Sequence, residues 1–138
     1  MDDRELNILL VEDDQVDVMN VQRAFRKNNI SNPLWMAGNG VEALDKLRSG
    51  EIPQSRLLVL LDLNMPRMNG VEFLRHLRAD GELRHLPVVV LTTSDDERDR
   101  LEAYHLNVAG YIVKPVTFVN FCDAMATLNK YWSLVEMP

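Results

Sequence analysis

Two kinds of apolar pattern alternate along this chain. Short unbroken runs ("LNILLV", "RLLVLLD", "LPVVVLT") are separated by longer segments in which apolar residues return every three or four positions. The first kind reads as buried strand and the second as amphipathic helix. "LNILLV" opens the series and "DQVDVMNVQRAFRKNN" follows it, with Val18, Val21 and Phe25 at helical spacing. "PLWMA" is a short second strand. "NGVEALDKLRSG" is a helix with Val41, Leu44 and Leu47 on one face, Asn39 placed to cap its start and Gly50 its end. "RLLVLLD" and "GVEFLRHLRAD", with Phe73, Leu74 and Leu77, form the third pair, and "LPVVVLT" is the fourth strand. In "SDDERDRLEAYHL" Ser94 is followed three residues later by Glu97, a capping-box pattern, and Leu101 stands among few core anchors. "AGYIV" is the fifth strand. The last helix, "TFVNFCDAMATLNKYW", carries Phe121, Met125, Leu128 and Trp132 in phase and is expected to end near Tyr131.

Strands one, three and four are runs of Leu, Val and Ile rather than alternations. Such strands suit a parallel sheet covered by helices on both faces. Five strand–helix pairs in 138 residues predict an α/β fold: a flavodoxin-like doubly wound (βα)5 sandwich with a five-stranded parallel sheet. The strand order 2-1-3-4-5 is the known order for that layout and is taken over from it. In such sheets the chemistry lies beyond the carboxyl ends of the strands.

Bulk properties narrow the function. The chain is 46% hydrophobic and 26% charged with a formal net charge of −6, so it has an ordinary globular composition and lacks the positive field that nucleic acid or an anionic membrane surface requires. No apolar run reaches the roughly 20 residues that cross a bilayer. "MDDRELN" has no apolar signal region, and the single Cys122 cannot form an intrachain disulfide. These features predict one cytoplasmic domain over residues 1–138, with a core at about 6–131 and a short apolar tail at 132–138.

The strand ends carry the chemistry. Glu12, Asp13 and Asp14 follow strand one; Asp62 and Asn64 follow strand three; Thr92, Thr93 and Ser94 close strand four; Lys114 and Pro115 follow strand five. Singly, each has an ordinary explanation. Asp13 or Asp14 could cap the first helix, Asp62 could serve a turn before Pro66, the threonines could simply end a strand, and Lys114 could be solvated. Together they form one cluster at a single predicted edge. Two carboxylates about 4 Å apart repel by about 4 kcal/mol at an effective dielectric of 20, so a proton or a cation must join them. A hard, oxygen-liganded ion such as Mg2+ fits, and the lack of His or Cys at these positions argues against zinc. His76, His85 and His105 are scattered without ligand spacing, and Cys122 is in phase with the apolar face of the last helix.

Four segments, "ILLVEDD", "VLLDLNMPRMNG", "VVVLTTS" and "GYIVKP", resemble the signatures of the response-regulator receiver domain of two-component signalling. The resemblance implies a role for each matching residue. Asp62 would accept a phosphoryl group from a histidine of a sensor kinase. Asp13, Asp62 and the Asn64 backbone carbonyl would ligate Mg2+, with Glu12 acting through water. Lys114 would pair with a phosphoryl oxygen and Thr92 would donate its hydroxyl to that group. Tyr111 matches the aromatic switch position, turning into space that Thr92 vacates as it moves inward. The Lys114–Pro115 bond is often cis in this family. Thr93 stands where many members have a smaller residue, and Asn64 and Ser94 occupy positions that tune phosphate lifetime. The resemblance implies a phosphorylation switch rather than an enzyme. Its output would be protein contact or onward phosphate relay.

The segments around "NPLWMAGNGVEALDKL" and "NKYWSLVEMP" further resemble stand-alone receivers paired with phytochrome-type histidine kinases. For the tail, with Trp132, Leu134, Val135 and Met137, two readings stand: it folds back on the last helix, or it forms a homodimer contact with the face of the fourth helix, fifth strand and fifth helix. Three rivals remain at this level. A haloacid-dehalogenase-like phosphohydrolase would need an acid two residues after Asp62, where Asn64 stands. A nucleotide-binding module would need a glycine-rich phosphate loop, which is absent. A degenerate receiver used only as a scaffold is opposed by the intact set Glu12, Asp13, Asp62, Thr92 and Lys114.

Overall fold

The computed structural model describes residues 5–137; the first four residues and the last lie outside them. Five strands, β1 (Asn7–Val11), β2 (Leu34–Ala37), β3 (Leu57–Leu61), β4 (Val88–Thr92) and β5 (Gly110–Val113), alternate with α1 (Gln15–Lys27), α2 (Gly40–Arg48), α3 (Gly70–Ala79), α4 (Glu97–His105) and α5 (Phe118–Leu134). The sheet is parallel throughout, as the unbroken apolar strands predict, and its order, β2-β1-β3-β4-β5, is the one taken over from the flavodoxin-like layout.

The unbroken apolar strands are explained by two separate cores. Leu9, Val11, Val59, Leu61, Val88 and Val90 face one side, where they meet Leu44 and Leu47 of α2, Phe73, Leu74 and Leu77 of α3, and Ala103 of α4. Ile8, Leu10, Leu58, Leu60, Val89 and Leu91 face the other, against Val18, Val21 and Phe25 of α1 and Phe121, Cys122 and Met125 of α5. Successive strand side chains point to opposite faces, so a strand covered on both sides has no place for a polar residue except where a partner satisfies it, as at the carboxyl end of β4. Every residue of β3 and β4 is buried. Full burial of each such side chain is worth about 1.5–3 kcal/mol.

Helix starts are defined by side-chain caps. Asp14 accepts from the Val16 and Asp17 N–H groups, Asn39 from Glu42, and Thr117 from Asn120. Asn69 and Glu72 form a reciprocal capping box at α3. The box expected at Ser94 does not form. Asp96 caps α4, accepting from Arg98 and Asp99, while the Ser94 hydroxyl donates at 2.7 Å to Asp99 Oδ2. A carboxylate nearer the first turn outcompetes the hydroxyl for the free N–H groups. Leu101 is likewise no anchor: it is 61% exposed, and Ala103 is the one buried residue of α4. All peptide bonds among the described residues are trans, Lys114–Pro115 included.

The tail folds back. α5 continues to Leu134, Trp132 is buried in the α1–α5 core, and Val135 and Met137 pack against it. Arg56 donates from its guanidinium to the carbonyls of Trp132 and Val135, both at 3.2 Å. These carbonyls have no partner inside the helix, so the contact satisfies its open C-terminal end. Leu134 and Tyr131 stay exposed.

Candidate functional site

Because the strands are parallel, their carboxyl ends share one edge. Asp62 directly follows β3, Glu12 and Asp13 follow β1, Thr92 is the last residue of β4, and Lys114 directly follows β5. Backbone hydrogen bonds hold these positions together beyond the strands proper. Asp62 N–H donates to Val11 O at 3.0 Å and Lys114 N–H to Thr92 O at 2.8 Å. The strand order reverses at β1, with β2 added on one side of it and β3 on the other, and this opens the edge between β1 and β3.

Three of the predicted residues form the acidic centre. Ligand oxygens of Glu12, Asp13 and Asp62 lie within 4.8 Å of one another. Asp13 is exposed while Glu12 and Asp62 are buried. Asp14, with its side chain engaged as the α1 cap, leaves Asp13 free to face the site. Asn64 sits beside the cluster and donates its N–H to Asp62 Oδ1 at 3.3 Å. The donor set is three carboxylates, hard oxygen ligands without nitrogen or sulfur, which fits a divalent cation of the Mg2+ type.

Thr92 is wholly buried and donates its hydroxyl to Asp62 Oδ1 at 2.8 Å. The hydroxyl in turn accepts from Ser94 N–H at 3.3 Å, and the Ser94 carbonyl accepts from the Tyr111 hydroxyl at 2.9 Å. Burial pushes the Tyr111 phenol above its ordinary value, so it remains a donor. One chain of contacts thus runs from Asp62 to the half-buried aromatic ring on β5. Thr93 is exposed.

Lys114 supplies the positive charge. Its ammonium donates to Glu12 Oε1 at 2.5 Å and to Asp17 Oδ2 at 2.8 Å, and lies 3.9 Å from Asp62 Oδ2. Burial alone would lower its pKa, but the Asp17 and Glu12 carboxylates outweigh burial and raise it, which keeps the group charged. Glu12 moves the other way from an ordinary acid. Burial, then contact with Asp62, push its carboxyl up to about 8 although Lys114 opposes the shift. A proton on one carboxylate is one way to relieve their repulsion, and a bound cation is the other.

Asp17 has no counterpart among the sequence-predicted site residues. Its signal was present as a second acid one turn into the first helix, but the cap at Asp14 accounts for an acidic helix start without it. The scattered histidines are all exposed and away from the edge, and Cys122 is a buried core residue.

Residues 8–126 match the response regulator receiver domain family. The chain is 37% identical to the probable methanogenesis regulatory protein FilR2 of Methanothrix harundinacea, over 91% of this chain and 82% of that protein. It is 34% identical to the response regulator Rcp1 of Synechocystis sp., over 95% of this chain and 92% of Rcp1; the Mn(2+)-bound structure of Rcp1 superposes with a TM-score of 0.83 over 96% of this chain and 99% of that one. The crystal structure of the phosphorylated cyanobacterial phytochrome response regulator RcpA superposes with a TM-score of 0.87 at 31% identity, over 97% of this chain and 99% of that one.

Proposed function

This chain belongs to the response regulator receiver family, and we propose that it works as a phosphorylation switch whose acceptor is Asp62. The observation that carries this reading is the convergence of four strand ends on Asp62: the Thr92 hydroxyl at 2.8 Å, the Lys114 ammonium at 3.9 Å, and two further carboxylates beside it. In the reaction an Asp62 carboxylate oxygen attacks the phosphorus of a phosphohistidine on the sensor kinase. The P–O bond forms, the P–N bond breaks, and the histidine nitrogen leaves with the electron pair. Phosphoryl transfer requires positioning and charge stabilisation more than covalent help from the protein. Lys114 and the Thr92 hydroxyl are the groups of this chain that meet the charge on the phosphoryl oxygens.

Asp13, Asp62 and the Asn64 backbone carbonyl would hold Mg2+, with Glu12 acting through water. When bound, the ion offsets the carboxylate repulsion and the charge of the phosphoryl oxygens. The similarity to RcpA and Rcp1 supports a phytochrome-type histidine kinase as the phosphate donor. The output is protein contact. The exposed Tyr104, Val113, Tyr131 and Leu134 on α4, β5 and α5 offer an apolar surface for a downstream protein or a second copy of this chain. No helix among the described residues is long and apolar enough to cross a membrane, and the proposed site of action is the cytoplasm, where the kinase histidine is presented. The residues that match the family, 8–126, act as one receiver domain, whose own chemistry is the phosphorylation and dephosphorylation of Asp62.

The test is incubation with Mg2+ and acetyl phosphate, with Asp62→Asn in parallel, read by intact mass and elution volume. A gain of one phosphate in the wild type alone is expected. Equal gain in both proteins would remove Asp62 as the acceptor.

A further inference from the structure

Lys114 is divided between two carboxylates that have different fates. Glu12 belongs to the acidic centre and Asp62 is the proposed acceptor, but Asp17 belongs to neither. It sits in the first turn of α1, where the cap is already supplied by Asp14. Among the described residues Lys114 is the side-chain partner of its carboxylate, at 2.8 Å. The Lys114 side chain is 9% exposed and that of Asp17 31%, so the pair is partly shielded from water and anchored at both ends by regular structure. The ammonium is then 3.9 Å from Asp62 Oδ2, beyond hydrogen-bond range but within a small swing of it.

We propose that Asp17 is a positioning residue that holds Lys114 off the acceptor, and that Lys114 passes from Asp17 to the phosphoryl oxygens when Asp62 is phosphorylated. This rests on Asp62 being the phosphoacceptor. The physical argument is one of differential binding. The Asp17–Lys114 pair stabilises the unphosphorylated state, and it is weakened in the transition state, where the ammonium is needed on the transferring group. Asp17 therefore slows phosphorylation. It also gives α1 a share in the switch. Once Lys114 has turned, the Asp17 carboxylate is unpaired at a cavity of about 160 Å³ that it lines with Asn20, Pro115 and Phe118. Phosphorylation is thereby felt on the α1 side of the sheet as well as through Thr92 and Tyr111 on the α4 side.

A double-mutant cycle tests this, with Mg2+ and acetyl phosphate and the initial rate of mass gain as readout. Asp17→Asn should raise the rate roughly fivefold when Lys114 is present and change it by less than about twofold in a Lys114→Met background. Asp17→Glu, which keeps the charge, should stay close to wild type. An equal rise in both backgrounds would assign the effect to a general loss of negative charge facing an anionic donor, and no rise with Lys114 present would show that nothing is held back; either overturns the proposal. Hydrogen exchange of the Lys114 ammonium, followed by NMR in the unphosphorylated protein, reads the pair directly. It should be slow in the wild type and faster in Asp17→Asn, and equal exchange would overturn the proposal. Slow exchange in a wild type that takes up no phosphate would instead sink the Asp62 reading while leaving the pair intact.

Discussion

Thr92 and Asp62 are joined by a 2.8 Å hydrogen bond in which a fully buried hydroxyl donates to a buried carboxylate. A polar pair at the end of two apolar strands is costly unless its members satisfy each other. The bond therefore links stability to signalling. Thr92→Ala removes the 2.8 Å hydrogen bond to Asp62 Oδ1 and leaves the 3.3 Å contact from Asn64 N–H. The variant should lose about 2 kcal/mol of stability in a urea titration of the unphosphorylated protein. It should still take up phosphate from acetyl phosphate, but respond to it with a smaller change in partner binding. An unchanged response would disconnect Thr92 from the output.

Glu12 makes stability depend on pH in an unusual direction. Its folded value is about 8 against an ordinary 4.5. Below the lower value the proton is bound in both states. Between the two, the folded protein keeps a proton that the unfolded chain has lost, so the contribution of this group falls as pH rises through the window. In chelator-treated protein the urea midpoint should decline across that range. Glu12→Gln should flatten the decline, and Mg2+ should raise the midpoint most at its alkaline end. A midpoint that climbed in wild type and variant alike would contradict the assignment.

Gly70 fixes the acceptor loop against α3. A Cβ there would lie 2.5 Å from the Asp62 carbonyl oxygen and 2.7 Å from Leu63 Cα, both backbone atoms that cannot rotate away. Gly70→Ala should cost about 3 kcal/mol and slow phosphate uptake, because relief requires moving Asp62 away from Thr92 and Lys114. Thermal melting and mass-gain kinetics measured together check both effects.

The loop between Asp62 and α3 carries backbone strain at two successive residues, Arg67 at φ 51° and Met68 at φ 69°. Their side chains differ in what they do. Arg67 is exposed, whereas Met68 lies against Gly40 and packs on the core. Arg67→Gly should stabilise the protein by about 0.5–1 kcal/mol, since glycine adopts this conformation without a Cβ penalty. Met68→Gly should destabilise it, because the lost packing exceeds the relieved strain. Denaturant titrations giving the same sign for both would refute the distinction.

Much of the molecule was legible in the chain. Unbroken apolar runs at β1, β3 and β4 announced strands covered on both faces, helical spacing at Val18, Phe73 and Met125 announced the covering helices, and the polar residues at strand ends marked the edge where chemistry lies. These features are local: periodicity and a residue's place at the end of a run are set within a few positions of sequence. Ser94 and Leu101 show the limit. Both fit a local pattern, yet Asp96 took the cap and Ser94 was drawn to Thr92, Asp99 and Tyr111, while Leu101 found no facing element to cover it. The Arg56 clamp on the tail and the Asp17–Lys114 pair could be decided only by the tertiary structure. Asp17 and Lys114 are 97 residues apart in sequence. Their distance is set by how β1, β3, β4 and β5 stack side by side and by how α1 lies on them, and no spacing within either segment records that.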